Sequence, residues 1–544
     1  SRAVLTDDLT GLLTEIERRH TPRWVWWDRR TAAELARRSI SVSRCWDILA
    51  VHRLRVGGFR FTVAEVWAHL NGLDPGTIPT MGQQNLLDQH DGAGDPNDPV
   101  QPDGHLRPEW LGGGWHDPGA PDRVARWAAL TLEAAVDQLD ALQRPDDLRP
   151  ETTRLLSTAH AESAAELLGA ELAEHGLPID EVEATRIITE SAGDRPESRA
   201  AELAEQARRD AEVLQHLGPS RSINLRNPGE VKAMLTSNGF DLPDTRAWRL
   251  EQLRDTSPLI DALLTWRKAE RIATTYGWAW LDEHVAGGRL RGSWSSSDGA
   301  AGRMTASAGL HNLPAPMRPA VAAEPGYRFV RADLGQIEPR VLAAVSGDRA
   351  LIAATADADL YQPVAKRLGV ERDVAKVAVL GAMYGATTGE SAGALRGLQQ
   401  NYPVAMTLLE EAAEQGRLGH DIVTIGGRRV RTGSGSAPDG DLDRAIAAAA
   451  ARGRYARNAL IQGAAAEFFK VWAVIVRRRV GELGAQVVLC LHDELLVHAP
   501  VETADAVAGI VTDAVTEAAF YWSPEPDVRF LADTSIIERW SEAK

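Results

Sequence analysis

Cysteine is almost missing from this 544-residue chain: Cys45 and Cys490 are the two, with no C-x-x-C spacing. That excludes a disulfide scaffold and a cysteine-rich zinc centre, and makes a reducing interior the expected compartment. No apolar run is expected to cross a bilayer, and no charged-then-apolar leader follows Ser1. No membrane partner is therefore expected, and the expected location is cytoplasmic. Internal repeats and low-complexity tails are also missing. A positive balance is lacking too, since 60 Lys and Arg face 76 Asp and Glu, for a net charge of −16. A uniformly basic nucleic-acid coat is thereby excluded.

What is present is an ordinary globular composition, 44% hydrophobic and 25% charged, on a chain long enough for several packed units. The charge is unevenly placed. Segment 158–216 is acidic and helix-prone and predicts a solvated face. Arg428, Arg429, Arg431, Arg452, Arg454, Arg457, Lys470, Arg477, Arg478 and Arg479 crowd one later stretch. They predict a basic cleft on an acidic body. W-V-W-W (24–27) reads as a strand, and runs near 31–38, 43–55 and 121–142 read as helices. The Gly-, Pro- and Asp-rich stretch 74–120 reads as irregular. Residues 258–276 predict a long amphipathic helix.

Three distant segments carry the chemistry. Y-R-F-V-R-A-D (327–333) alternates as a strand and ends on Asp333, with a helix predicted from Gln336 and Pro339 in its first turn. A strand-end aspartate can offer hard oxygens to Mg²⁺, though a helix cap would use the same residue. A-Q-V-V-L-C-L (485–491) and L-L-V-H (495–498) read as two strands, with His492, Asp493 and Glu494 at the tip between them. Adjacent acids between buried strands must face either a cation or solvent. Arg372, Lys376, Leu380 and Tyr384 recur every four residues along one helix face, two cations and then an apolar floor. Such a face suits a triphosphate and a base pair; a solvated surface helix would look the same. Arg454, Asn458 and Gln462 share a second face, with polar groups fit for minor-groove acceptors.

In this order the motifs resemble those of family A DNA polymerases, the bacterial DNA polymerase I type, across roughly residues 222–544. D-L-G-Q-I-E-P-R (333–340) is similar to the family's D-Y-S-Q-I-E-L-R. Arg372, Lys376, Leu380, Tyr384 and Gly385 follow R-x-x-x-K-x-x-x-F-x-x-x-Y-G, and His492, Asp493 and Glu494 follow H-D-E. G-R-M-T-A-S (302–307), H-N-L-P (311–314), I-G-G-R-R (425–429) and R-Y-A-R-N-A-L-I-Q-G (454–463) also match. The resemblance implies template-directed DNA synthesis from dNTPs, with Asp333 and Asp493 as ligands of two Mg²⁺ ions and Mn²⁺ as a substitute. It implies a catalytic set of Asp333, Asp493, Glu494 and Lys376. The incoming dNTP would meet Arg372, Lys376, Leu380, Tyr384, Gln336, Tyr361 and Glu338, the last as a gate against the ribose 2′-hydroxyl. Primer–template DNA would meet Arg303, Asn312, Arg428, Arg454, Asn458, Gln462 and His492. A monomer is expected. Leu380 stands where the family has an aromatic, and Tyr361 where it has a histidine.

The implied architecture is α+β and multidomain: a right hand of palm, fingers and thumb after an α/β ribonuclease-H-like exonuclease-type domain. The expected boundaries are 1–145 for that domain and 146–221 for a helical connector. They continue with 222–290 for the thumb, 291–345 and 441–544 for the palm, and 346–440 for the fingers. In the exonuclease-type domain R-C-W-D-I-L-A-V-H-R-L (44–54) keeps one acid, Asp47. W-V-W-W-D (24–28) has no D-x-E, and Trp127 and Thr131 stand where a Tyr and an Asp would be. One acid cannot hold two metals, so proofreading is expected to be absent, and no 5′-nuclease domain is expected to precede it. The competing readings are a single-subunit RNA polymerase relative, and a catalytically impaired relative that binds nucleic acid without extending it.

Overall fold

The structure, a computed structural model, describes residues 6–58, 60–80, 95–116, 121–144, 152–217, 223–298, 301–385, 392–433 and 442–543. The expected junctions at 145/146, 221/222 and 440/441 lie outside the described residues, as does part of the stretch 74–120. The chain forms two compact units. One holds residues 1–175, 294–305 and 330–536; the other holds 176–293, 306–329 and 537–544.

After the helix Leu9–His20, the first unit places two strands in parallel, Arg23–Trp26 and Arg44–Asp47, with Trp26 opposite Asp47. Residues 44–47 were expected to be helical. Pairing with the first strand overrides that tendency, and the helix Ile48–Val56 starts only where Asp47 caps it by accepting from Ala50 N at 2.9 Å. Trp27, Trp46, Trp67 and Leu130 anchor the core of this region.

The helix Thr152–His175 is buried along much of its length, its glutamates Glu162 and Glu166 included. It touches the helix Arg29–Arg37 and strand Arg44–Asp47 on one flank and the helix Leu442–Gly481 on another. The expectation of a solvated acidic face fails here. Glu162 and Glu166 point into the interior and meet cations there.

A four-stranded sheet follows the order Gln486–Cys490, Glu494–Pro500, Tyr327–Leu334, Ala532–Ile537. The long helix Leu442–Gly481 lies beside it. By length and composition this helix could cross a bilayer, contrary to the reading of the sequence. Its apolar window is 83% buried inside the protein, as befits a core helix.

The second unit is mainly helical. Val213, Leu225, Val231, Leu235, Leu250 and Leu263 draw the helices Arg199–Leu214, Pro228–Ser237, Ala247–Glu251 and Pro258–Thr275 into one core. A three-stranded sheet orders Leu177–Pro178, Arg289–Leu290 and Val285–Ala286.

Candidate active site

Asp333 stands one residue before the end of the strand Tyr327–Leu334, on a backbone fixed from both sides by the sheet. It caps no helix: the next one, Ile337–Ser346, begins after Gln336. Asp493 sits in the short turn between the antiparallel strands Gln486–Cys490 and Glu494–Pro500. Leu334 N donates to the Asp493 carbonyl at 2.7 Å, so the segments bearing the two aspartates lie side by side. Burial pushes both carboxyls up, and the neighbouring Asp333 and Glu494 charges help push Asp493 up to about 6. Two half-buried carboxylates that repel each other are a natural seat for hard cations. Among the described residues no third acid, histidine or cysteine completes a protein-only metal cage. The donor set therefore fits ions that take their remaining oxygens from water and substrate.

Arg331 lies beneath this pair. It meets Asp333 and Glu494 at 3.1 Å each and Asp533 at 3.5 Å. The sequence reading missed it, although Arg331 and Asp333 stand two apart on one strand and so share a face.

Asp493 lines a cleft of about 170 Å³ whose walls also include Arg303, Glu338, Tyr361, Leu380 and His492. Glu338 is held from two sides, by Arg303 at 2.7 Å and by the Tyr384 hydroxyl at 3.1 Å. Gln336 adopts a left-handed backbone, φ 55° and ψ 47°, uncommon for a residue with a Cβ. That turn aims its amide at Asp359, to which it donates at 2.7 Å, while its carbonyl accepts from Leu360 N at 2.8 Å. Asp359 then receives Arg372 Nε at 2.8 Å. Asp359 is a second residue the sequence reading passed over, although D-L-Y was singled out for Tyr361. The fully buried Arg340 fixes the approach to Asp359 by donating to the carbonyls of Thr355, Asp357 and Ala358.

The helix Arg372–Tyr384 forms as its spacing predicts and ends on Gly385, whose φ of 72° suits a left-handed cap. Lys376 is exposed one turn beyond Arg372. Tyr361 is buried, and the Arg372 guanidinium sits 5.6 Å from its ring centroid, so it serves as a base plate for that cation.

Arg454, Asn458 and Gln462 lie on the helix Leu442–Gly481, Arg454 exposed and the other two half-buried. Asn312 is exposed on a short turn of the second unit. Arg428 requires a correction. It was expected at DNA, yet it is buried, 2.5 Å from Glu162 and 3.2 Å from Ser297. Gly302 exists to admit it: a Cβ there would meet the Arg428 guanidinium at 2.4 Å. Nor do the cations of 428–479 share one cleft. Arg428 and Lys470 are interior, and Arg477 is paired with Glu171 at 2.5 Å. Basic residues supply buried partners here as well as surface charge.

Asp47, the surviving acid of the amino-terminal region, is buried. Its two oxygens accept from Ala50 N and Trp26 Nε1, both at 2.9 Å. Burial and the Glu166 charge push its carboxyl up to about 8.

Comparison with known proteins gives this geometry a setting. DNA polymerase I of Chloroflexus aurantiacus is 34% identical over 52% of this chain and 32% of its own length. The thermostable DNA polymerase I of Thermus aquaticus is 30% identical over 63% of this chain and 44% of its own length. The chain thus spans less than half the length of these relatives. The POL domain of Pol1 from M. smegmatis, solved with DNA primer-template and dNTP, shares the fold. Its TM-score is 0.67 at 22% identity, covering 99% of this chain and 90% of that one. Residues 197–542 match the family model of DNA polymerase family A, and the chain belongs to that family.

Proposed function

We propose that this chain performs template-directed DNA synthesis, adding dNTPs to a primer 3′-hydroxyl. One observation carries the reading: Asp333 and Asp493, 160 positions apart in sequence, lie in adjacent segments, and Asp493 lines a cleft walled by Arg303 and Glu338. Asp333 and Asp493 would hold two Mg²⁺ ions, and Mn²⁺ suits the same oxygens. When bound, the ions supply activation of the hydroxyl and charge stabilisation at the leaving pyrophosphate.

The chain's own groups do the rest. Arg372 and Lys376, one helical turn apart, neutralise the triphosphate as its charge redistributes. Arg331 offsets the acids from below and keeps Asp333 in place. Glu338, pinned between Arg303 and Tyr384, stands where a 2′-hydroxyl would have to fit and favours deoxyribonucleotides. Leu380 offers an apolar floor without the ring stacking an aromatic would add. Arg454, Asn458, Gln462, Arg303 and His492 address primer–template DNA, with Asn312 a contact of the second unit. Residues 222–290 act as thumb, 346–440 as fingers, and the sheet-bearing segments as palm.

We assign no proofreading to residues 1–145. Asp47 is an interior helix cap, and both its oxygens are already taken by Ala50 N and Trp26 Nε1.

Primer extension tests the reading. Asp493→Ala removes a residue that repels its neighbours, so folding is expected to survive, while extension falls by about a thousandfold or more. Equal extension by variant and parent removes the catalytic assignment. Metal-dependent shortening of a 3′ end by the pure parent protein overturns the absence of proofreading.

A further inference from the structure

A second basic cavity, of about 480 Å³, lies in the first unit between the amino-terminal strands and the far end of the helix Leu442–Gly481. Arg23, Arg44, Arg477, Arg478 and Arg479 all line it. Two of them are committed elsewhere, Arg477 to Glu171 and Arg479 to Glu517. Arg23, Arg44 and Arg478 form no ion pair among the described residues. Arg23 gives one bond to the Cys45 carbonyl at 3.2 Å, and Arg44 donates to the Thr21 carbonyl.

The placement of the first two is unusual. Arg23 and Arg44 are register partners on adjacent parallel strands, so two like charges face one another. Such pairs destabilise a sheet unless a counter-charge lies between them. Burial and the Arg44 charge hold the Arg23 guanidinium below its ordinary value. The nearest acids answer this need only in part. Glu17 feels the Arg44 charge but is bonded to Ser43 N and Trp24 Nε1 rather than to either guanidinium, and Glu482 lies at the rim. Neutral groups complete the lining. His160 is pushed down to about 4 by burial and by Arg23, so its ring is an uncharged donor and acceptor. Ser43, Ser157 and Tyr521 add hydroxyls, and Val474 and Ile475 an apolar wall.

We propose that this cavity binds an oligophosphate chain, separately from the cleft at Asp333 and Asp493. Three cations without ion pairs and the hydroxyls of Ser43, Ser157 and Tyr521 match several phosphate groups in a row, and the volume suits a ligand of nucleotide size, in the range of about 300–1,000 Å³. The same chemistry comes from two sources, a nucleoside triphosphate or free inorganic oligophosphate.

Calorimetric titration of the full chain in EDTA tests this, with ATP, tripolyphosphate and AMP as probes. One site is expected, binding ATP or tripolyphosphate at least about tenfold more tightly than AMP, and more weakly as salt rises. ATP tighter than tripolyphosphate identifies a nucleotide site using the apolar wall; equal affinity identifies a phosphate-chain site. Arg44→Ala/Arg478→Ala alters exposed side chains and is expected to weaken binding by at least about tenfold. Arg44→Lys/Arg478→Lys should restore part of it, and primer extension should be unchanged. Lys376→Ala should leave this binding intact. The proposal is overturned by absence of binding of both chains, by equal affinity in the alanine double variant, or by loss of the site in Lys376→Ala. Binding of a DNA oligonucleotide alone, with neither small anion, overturns it as well.

Discussion

Replacing Glu162 by Gln should damage this protein far more than an ordinary single substitution. Glu162 accepts from Lys470 Nζ at 2.7 and 2.8 Å and lies 2.5 Å from Arg428, with all three side chains at most 2% exposed. Burial opposes the charge on Glu162, but Arg428 and Lys470 outweigh it and hold the carboxyl below its ordinary range. Burial pushes Lys470 down to about 8, so at neutral pH it still carries its proton. The glutamine would strand two interior cations. Breaking a buried pair from one side costs about 3–5 kcal/mol, because the remaining charge has lost both water and partner. With a urea m-value near ~3 kcal/mol/M, the unfolding midpoint of the transition containing this helix should fall by on the order of 1 M. The discriminating variant is Glu162→Gln/Lys470→Met. It removes one stranded cation and leaves Arg428 near Glu467, so it should recover roughly half of the loss. Tryptophan fluorescence and circular dichroism follow the transition. A single variant as stable as the parent, or a double variant no better than the single, would refute the electrostatic account.

Three further outcomes separate structure from chemistry. Arg428→Ala should lower stability and leave the salt dependence of DNA binding unchanged, whereas Arg454→Ala should leave stability unchanged and reduce that salt slope by about 1; the opposite pattern returns Arg428 to the DNA. Asp47 is raised to about 8 in the fold against an ordinary 3.8, so folding takes up a proton. Its contribution is full below about pH 4 and is lost as pH rises toward 8, with a slope of at most ~1.4 kcal/mol per unit. Parent and Asp47→Asn stabilities measured across pH 5–8 should therefore diverge, the parent losing ground as pH rises, and parallel curves contradict the shift. Glu338→Ala should lower the dNTP-over-NTP ratio of kcat/KM by about tenfold or more, and an unaltered ratio removes the gate.

The elements bearing the motifs were legible where local pattern and tertiary need agree. The strand bearing Asp333, the hairpin strands flanking Asp493 and the helix Arg372–Tyr384 each follow their own local pattern. Residues 44–47 were misread because parallel pairing with Arg23–Trp26 is non-local and outweighs helical spacing. The acidic helix near Glu162 was misread for a related reason. A glutamate's burial is decided by cations hundreds of positions away, at Arg428 and Lys470, and no local window contains them. The same long reach hid Asp359, whose importance rests on Gln336 before it and Arg372 after it.

That last trio explains how a cation can be aimed without being trapped. Gln336, three residues after Asp333, holds one oxygen of Asp359, and the other oxygen holds Arg372. Position is thus relayed from the strand end to the helix proposed to meet the triphosphate. The Arg372–Asp359 pair is partly open to solvent, at 37% and 30% side-chain exposure, so water screens it and its hold is weak. In the proposed reaction an incoming triphosphate presents more charge and more acceptors than one carboxylate, and would draw Arg372 away. A buried pair such as Glu162–Lys470 could not exchange partners in this way, because each departure would strand a charge. The chain therefore uses one type of contact in two manners, interior where the architecture must not move and half-exposed where the substrate must compete.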